Sequence, residues 1–404
     1  MVTGAGSQGI PRHSPSERAP LRIEDYFTLE QVALGKKYER EKYLFFFADL
    51  LLTFGILALL TFTGLSSWLF SWADMIAGGR DWLARLLFLA LVLVLLALVT
   101  FPLEIWEDYL HEHAYRLSDQ SFQGWLWDQV KGWLVGFVLT LPLAYGLFFL
   151  IGRYPHGWWI PAGLAAFAFS VIFTYLSPVL IDPIFNTFKP VANQELKGRL
   201  VSLANHAGIR VKEVLEIDAS RQTKKYNAYF AGLGPTKRIV IYDTFLRDGS
   251  IAEIESVLAH EIGHWQHGHL WKGILLSGVV SLGFFFLLAR ALEYASTSQL
   301  FPFYAPHDVA AFPFILLFAA LLSFLSSPVA SGISRHFERQ ADWTALILTR
   351  DTQTFLEVER KLALRNLSDI DPPPLIEWAF HSHPSTVHRM EMALEYAQQE
   401  KSLQ

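Results

Sequence analysis

Residues 83–103 read LARLLFLALVLVLLALVTFPL, an apolar run interrupted by a single charge, Arg85. At 1.5 Å per residue, a helix of this length spans about 30 Å, the thickness of a bilayer's hydrocarbon core. Five more stretches have the same character, at 44–66, 132–152, 157–181, 271–292 and 309–333. A soluble fold would have to bury six such helices in one chain, so the pattern predicts a mainly α, polytopic membrane protein with about six transmembrane helices in a lipid bilayer. Composition points the same way: 52% of the 404 residues are hydrophobic and only 18% charged, with a mean hydropathy of +0.28. A formal net charge of -5 provides no basic field for a polyphosphate backbone, so nucleic acid is excluded as a partner.

Lys and Arg are retained in cytoplasmic loops, and their distribution sets the predicted orientation. The N-terminal arm holds Arg12, Arg18, Arg22, Lys36, Lys37, Arg40 and Lys42, whereas the first loop has only Arg80 and the third only Arg153. Eleven basic residues lie in 182–270, none in 293–308, and eight in the C-terminal arm. The alternation places both termini and the large fourth loop in the cytoplasm. The domain expectation follows: an arm at 1–43, four spans within 44–181 with an acidic loop at 104–131, a catalytic loop at 182–270, two spans within 271–333, and a second catalytic part at 334–404. The first 20 residues, rich in Gly, Ser and Pro, lack the apolar core of a signal peptide and read as a disordered leader.

The chain contains no cysteine, so any metal must be held by nitrogen and oxygen. In the fourth loop, Ser250-Ile-Ala-Glu253 has the spacing of a capping box and starts a helix near Ile251. On that helix lies His260-Glu261-Ile262-Gly263-His264. Its two histidines, four apart, share a face and can hold one zinc ion, while Glu261 stands beside them to take a proton from water. A catalytic zinc wants three protein ligands and an open position. The metzincin pattern would put a Gly and a third His at positions occupied here by Gln266 and Leu270, so that class fails. His267 and His269 read as interfacial histidines. A second helix, in SRHFERQADWTAL, carries Glu338 and Asp342 four apart on one face. Glu338 completes a His, His, Glu set, and Asp342 is placed to orient a ligand histidine from behind. Both helices adjoin spans, which sets the chemistry at the membrane boundary.

Tyr226–Phe230 and Arg238–Tyr242 are β-rich runs separated by AGLGPTK, a hairpin signature. A strand edge beside the metal can bind an extended peptide by strand addition, with Asn227 as a candidate backbone partner. His381, His383 and His388 crowd a Pro-rich loop, and one of them can steady an oxyanion. Chemistry alone does not select among the three.

In FTLEQVALGKKYEREK, FPLEIWEDYLHEHAYRLSDQSFQGWLWDQVKG, IDPIFNTFKPV, YNAYFAGLGPTKRIVIYDTFL, HEIGHW, FERQADWTAL and HSHPS, the chain resembles the type I CAAX prenyl endopeptidases, membrane gluzincins that trim C-terminal tripeptides from isoprenylated proteins. The resemblance covers about 380 residues. It implies one zinc on His260, His264 and Glu338, catalysis by Glu261, and roles near the transition state or substrate backbone for Asn227 and His383. It also implies helices enclosing a chamber, a zincin-like catalytic domain, and a peptide or protein substrate with a prenylated C-terminus. Eukaryotic members usually carry a further span before the FTLEQ block; here a polar leader stands there, as in a bacterial relative of an inner-membrane enzyme. Two other functions compete. One is quality control of membrane proteins, as in the shorter heat-shock metalloproteases, which lack the FTLEQ and YRLSDQSF blocks. The other is a transporter or lipid-binding protein with a structural zinc, for which few charges lie near the spans.

Overall fold

The computed structural model describes residues 21–232 and 237–403; the expected leader, residues 233–236 and residue 404 lie outside the described residues. The chain divides into two compact units, one of Lys42–Phe185 and Trp271–Ser326, the other of Met1–Glu41 (described from residue 21), Asn186–Leu270 and Ser327–Gln404.

Among the described residues, six helices are long and apolar enough to cross a membrane: Leu29–Phe62, Asp81–Ala114, Phe122–Arg153, Trp159–Phe185, His269–Thr297 and Val309–Thr349. Their most apolar windows are at most 33% buried, so most of the apolar surface of these helices faces outward. In water such a surface would drive aggregation, whereas in lipid it is satisfied. What packs inside the first unit is a cluster that includes Phe88, Leu89, Phe148, Trp158, Leu292 and Phe312.

The second long helix departs from the sequence reading. It does not stop near Leu103 but continues to Ala114, passing through a π-helical segment at Ile105–His111. Pro102 lies inside the helix and cannot donate a backbone hydrogen bond, and widened i→i+5 turns follow it. Glu104, Glu107, Asp108 and Glu112 are therefore helical, and only residues 115–121 remain of the loop expected at 104–131.

The other unit carries a four-stranded mixed sheet that includes the expected hairpin pair. Its strands are β1 (Phe188–Pro190), β2 (Glu213–Ile217), β3 (Ala228–Ala231) and β4 (Arg238–Tyr242), in the order β1-β2-β4-β3. The β3–β4 pair is antiparallel as expected, while β2 runs parallel to β4 and β1 antiparallel to β2. Val214, Ile239 and Ile241 on the sheet pack with Leu200 and Ala204 of the helix Gln194–His206 and with Ile254, Leu258 and Ile262 of the helix Ile251–Gln266. That last helix, the motif helix, opens on the complete capping box of Ser250 and Glu253, an arrangement that stabilises a helix start by about 1 kcal/mol.

Candidate active site

The motif helix meets the helix Phe312–Thr349 at a point where no side chain stands between the backbones. A Cβ on Gly263 would lie 2.6 Å from Cα of Ala341 and 2.8 Å from its carbonyl oxygen. This close approach sets His260 and His264, which flank Gly263, against Glu338 and Asp342, which flank Ala341.

Nε2 of His264 lies 3.1 Å from Nε2 of His260. The two oxygens of Glu338 reach 3.2 Å from His260 Nε2 and 3.4 Å from His264 Nε2. Three ligands at the roughly 2.0–2.1 Å typical of a tetrahedral zinc or similar cation would be separated by about 3.3 Å. The separation of the two ring nitrogens is close to that edge length, and each has one of the two Glu338 oxygens at a similar distance. Glu338 Oε2 is also buried without a hydrogen-bond donor of proper geometry, although a ring nitrogen is close. The close approach of these atoms calls for positive charge between them, a proton on a ring nitrogen or a bound cation.

The field around His260 favours positive charge. Burial works against it, but the Asp342 carboxylate, whose Oδ1 is 2.7 Å from His260 Nδ1, raises the imidazole's pKa to about 10, with help from Glu338. Asp342 is fully buried and takes two bonds from Arg389, at 2.8 and 2.5 Å. Arg389 spends its remaining donor side on Glu359 at 2.7 Å. Burial and the nearby Asp342 charge raise the pKa of Glu359 to about 7, even though Arg389 opposes the shift. Spacing in the sequence could not reveal Arg389 or Glu359, because each sits on a separate helix far along the chain.

Glu261 lies beside the two histidines. Burial raises its pKa, His260 and His264 partly offset that, and the backbone amide of Phe230 donates to it. The donor strand has a definite orientation. Tyr242 N donates to Asn227 O at 3.0 Å, so alternation along the antiparallel pair turns the backbone groups of Ala228 and Phe230 away from β4, onto the edge of the sheet. Asn227 is exposed and joins His260, Glu261 and His383 around a cavity of 170 Å³. Its neighbour Tyr226 is pinned by a bond from its amide to Asn366, by its hydroxyl on Asp248 and by stacking on Phe245.

The three clustered histidines separate clearly. His383 Nε2 lies 3.4 Å from Glu338 Oε1, and its Nδ1 is 2.9 Å from the Ser382 hydroxyl. His388 pairs with Glu377 at 3.0 Å, and His381 caps the short helix Pro374–Phe380, its carbonyl accepting from Arg335. His269, read from sequence as interfacial, is instead buried against His264.

An apolar helical frame carrying this His-His-Glu group describes a multi-pass integral membrane metalloendopeptidase, and comparison with known proteins identifies the lineage. The family model of peptidase family M48 matches residues 190–397, and that of the CAAX prenyl protease N-terminal region, described as five membrane helices, matches residues 12–187. The metalloprotease YhfN of Bacillus subtilis is 31% identical over 90% of this chain and 85% of its own length. CAAX prenyl protease 1 of Saccharomyces cerevisiae is 32% identical over 78% of this chain and 73% of its own. The crystal structure of S. mikatae Ste24p superposes with a TM-score of 0.81 at 25% identity, covering 93% of this chain and 92% of that one. The chain belongs to peptidase family M48. Membership implies a metal ion, a peptide or protein substrate and residence in a lipid bilayer.

Proposed function

We propose that His260, His264 and Glu338 hold one zinc ion, that Glu261 is the general base, and that the enzyme removes C-terminal residues from a membrane-delivered protein. The observation that carries this reading is the trio of ligand-atom distances between 3.1 and 3.4 Å beside a buried carboxylate oxygen without a donor. An all-nitrogen-and-oxygen set of this kind suits zinc.

Zinc, when bound, supplies Lewis acidity and brings the pKa of water toward neutrality. Glu261 then takes the proton from the attacking water and delivers it to the leaving amine. The outward-facing backbone of Ala228 on β3 receives the substrate as an added strand, and the Asn227 amide bonds its backbone. His383 donates to the oxyanion that forms as the carbonyl is attacked. Asp342, its charge balanced by Arg389, holds His260 with its Nε2 lone pair toward the metal.

The substrate reading draws on relatives named CAAX prenyl proteases. The cavity beside His260 and Glu261 supports it, since Phe245, Val257, Phe355, Val358 and Leu362 give it an apolar lining suited to an aliphatic side chain. The distribution of Lys and Arg supports a cytoplasmic active site in a bacterial inner membrane. The test is hydrolysis of a farnesylated CAAX peptide and its unprenylated counterpart by the purified protein, with and without a chelator. Chelator-sensitive release of the C-terminal tripeptide from the farnesylated peptide is the expected result. Equal cleavage of both peptides would remove prenylation from the reading, and chelator-insensitive cleavage would remove the metal.

A further inference from the structure

The two histidines of the motif are held from behind by different chemistry. His260 leans on a carboxylate, but the partner at His264 Nδ1 is another imidazole, Nδ1 of His269, 3.0 Å away. His269 Nε2 in turn lies 2.8 Å from the side-chain oxygen of Gln340. The three residues come from different places: His264 from the motif helix, His269 from beyond Gly268, whose φ of +64° turns the chain back, and Gln340 from the helix that carries Glu338. His269 is only 6% exposed, and its ring lies flat on Phe337, with centroids 4.2 Å apart and planes 8° from parallel.

Protons in this chain can be placed by elimination. An amide oxygen only accepts, so His269 Nε2 carries the proton of that bond and His269 Nδ1 presents a lone pair. Two facing Nδ1 atoms share one proton, so His264 must supply it. The His264 tautomer is then fixed with hydrogen on Nδ1 and a lone pair on Nε2, the atom that faces His260 and Glu338.

We propose that His269 and Gln340 are positioning residues of the metal centre, with Gln340 setting the tautomer of His269 and His269 setting the tautomer and ring plane of His264. This rests on the reading of His264 as a metal ligand. Because this relay of two imidazoles and an amide contains no carboxylate, it orients His264 without adding a second buried carboxylate behind the site, and the Phe337 stack keeps the His269 ring from rotating.

The test uses full-length protein in detergent, with zinc affinity measured by competition against a chromophoric chelator and ligand geometry by the visible absorption of the cobalt-substituted protein. His269→Phe keeps the bulk and the stack on Phe337 but cannot accept from His264. It should weaken zinc binding by about 10- to 100-fold, the usual effect of losing a partner behind a ligand histidine, and shift the cobalt bands. His269→Asn, whose side-chain oxygen can stand where Nδ1 was, should restore most of the affinity. Gln340→Leu should act in the same direction and add little on top of His269→Phe. Affinity and cobalt spectra within twofold of the parent for both His269→Phe and Gln340→Leu would overturn the proposal. If His269→Phe does not fold, Gln340→Leu alone decides. His264→Ala run in parallel separates the two levels, because unchanged zinc affinity there would sink the metal site itself and not merely its support.

Discussion

At the scale of single residues, the site places two groups with different duties within reach of one point. Glu261 is in the motif but its carboxylate is engaged by the Phe230 amide, while the proposed ligand atoms belong to His260, His264 and Glu338. Glu261→Gln keeps the shape and removes the base, so turnover should fall by about 10²- to 10⁴-fold while elemental analysis still finds one zinc per chain. Substantial residual turnover would assign the base elsewhere. His383, facing Glu338 Oε1 at 3.4 Å, is suited to a charge that exists only as the carbonyl is attacked. His383→Ala should therefore lower kcat by about 10²- to 10³-fold with KM little changed, and His381→Ala and His388→Ala should be mild, since His381 caps the helix Pro374–Phe380 with its backbone and the His388 ring pairs with Glu377. If His383→Ala instead lowers thermal stability and leaves the turnover of the folded fraction intact, the residue only braces its loop.

At the scale of elements, the crossing of the motif helix with the Glu338 helix creates the site, and Gly263 permits it. A methyl there would press on the Ala341 backbone at 2.6 Å, which no rotamer change relieves. Gly263→Ala should cost about 1–3 kcal/mol or more of stability by overpacking and, by prying the helices apart, should reduce zinc content even though every ligand is present. Full zinc occupancy at unchanged stability would show that the crossing tolerates a wider gap. This crossing marks the boundary of what the sequence could disclose. The motif helix was readable because its start is local: Ser250 and Glu253 satisfy amides three residues apart. The six apolar helices were readable because each carries its own length signal. The β3–β4 pairing was readable from two flanking β-rich runs, but β1 is very short and β2 pairs with strands that no local turn joins to it. The π segment follows a proline that hydropathy alone treats as one more residue in an apolar run. Arg389 and Glu359 acquire their partners only through tertiary contacts, and so does the Gln340 end of the His269 contact, and no fixed spacing encodes those.

At the scale of the whole molecule, the orientation in the bilayer decides which compartment supplies the substrate. The basic residues are dense in 182–270 and in the C-terminal arm and sparse in the loops around Arg80 and Arg153, and each translocated Lys or Arg near a span end is selected against. Such a bias acts on short loops within roughly 15–20 residues of the spans, which describes the Arg153 turn between the helices Phe122–Arg153 and Trp159–Phe185 well. The segment 182–270 is too long for its whole charge to count, yet Lys189, next to a span end, lies inside that range. Because the chain has no cysteine, single reporters can be introduced without removing anything native. His156→Cys samples the exposed turn after Arg153, and Glu195→Cys samples an exposed position at the start of the helix Gln194–His206, well away from the metal ligands. With the protein produced in a bacterial inner membrane, an impermeant thiol reagent applied to spheroplasts should label His156→Cys at once and reach Glu195→Cys only after the membrane is opened. The reverse pattern would put the active site on the outer face, where a substrate anchored in the cytoplasmic leaflet could not present its C-terminus, and the prenylated-protein reading would fall with the orientation.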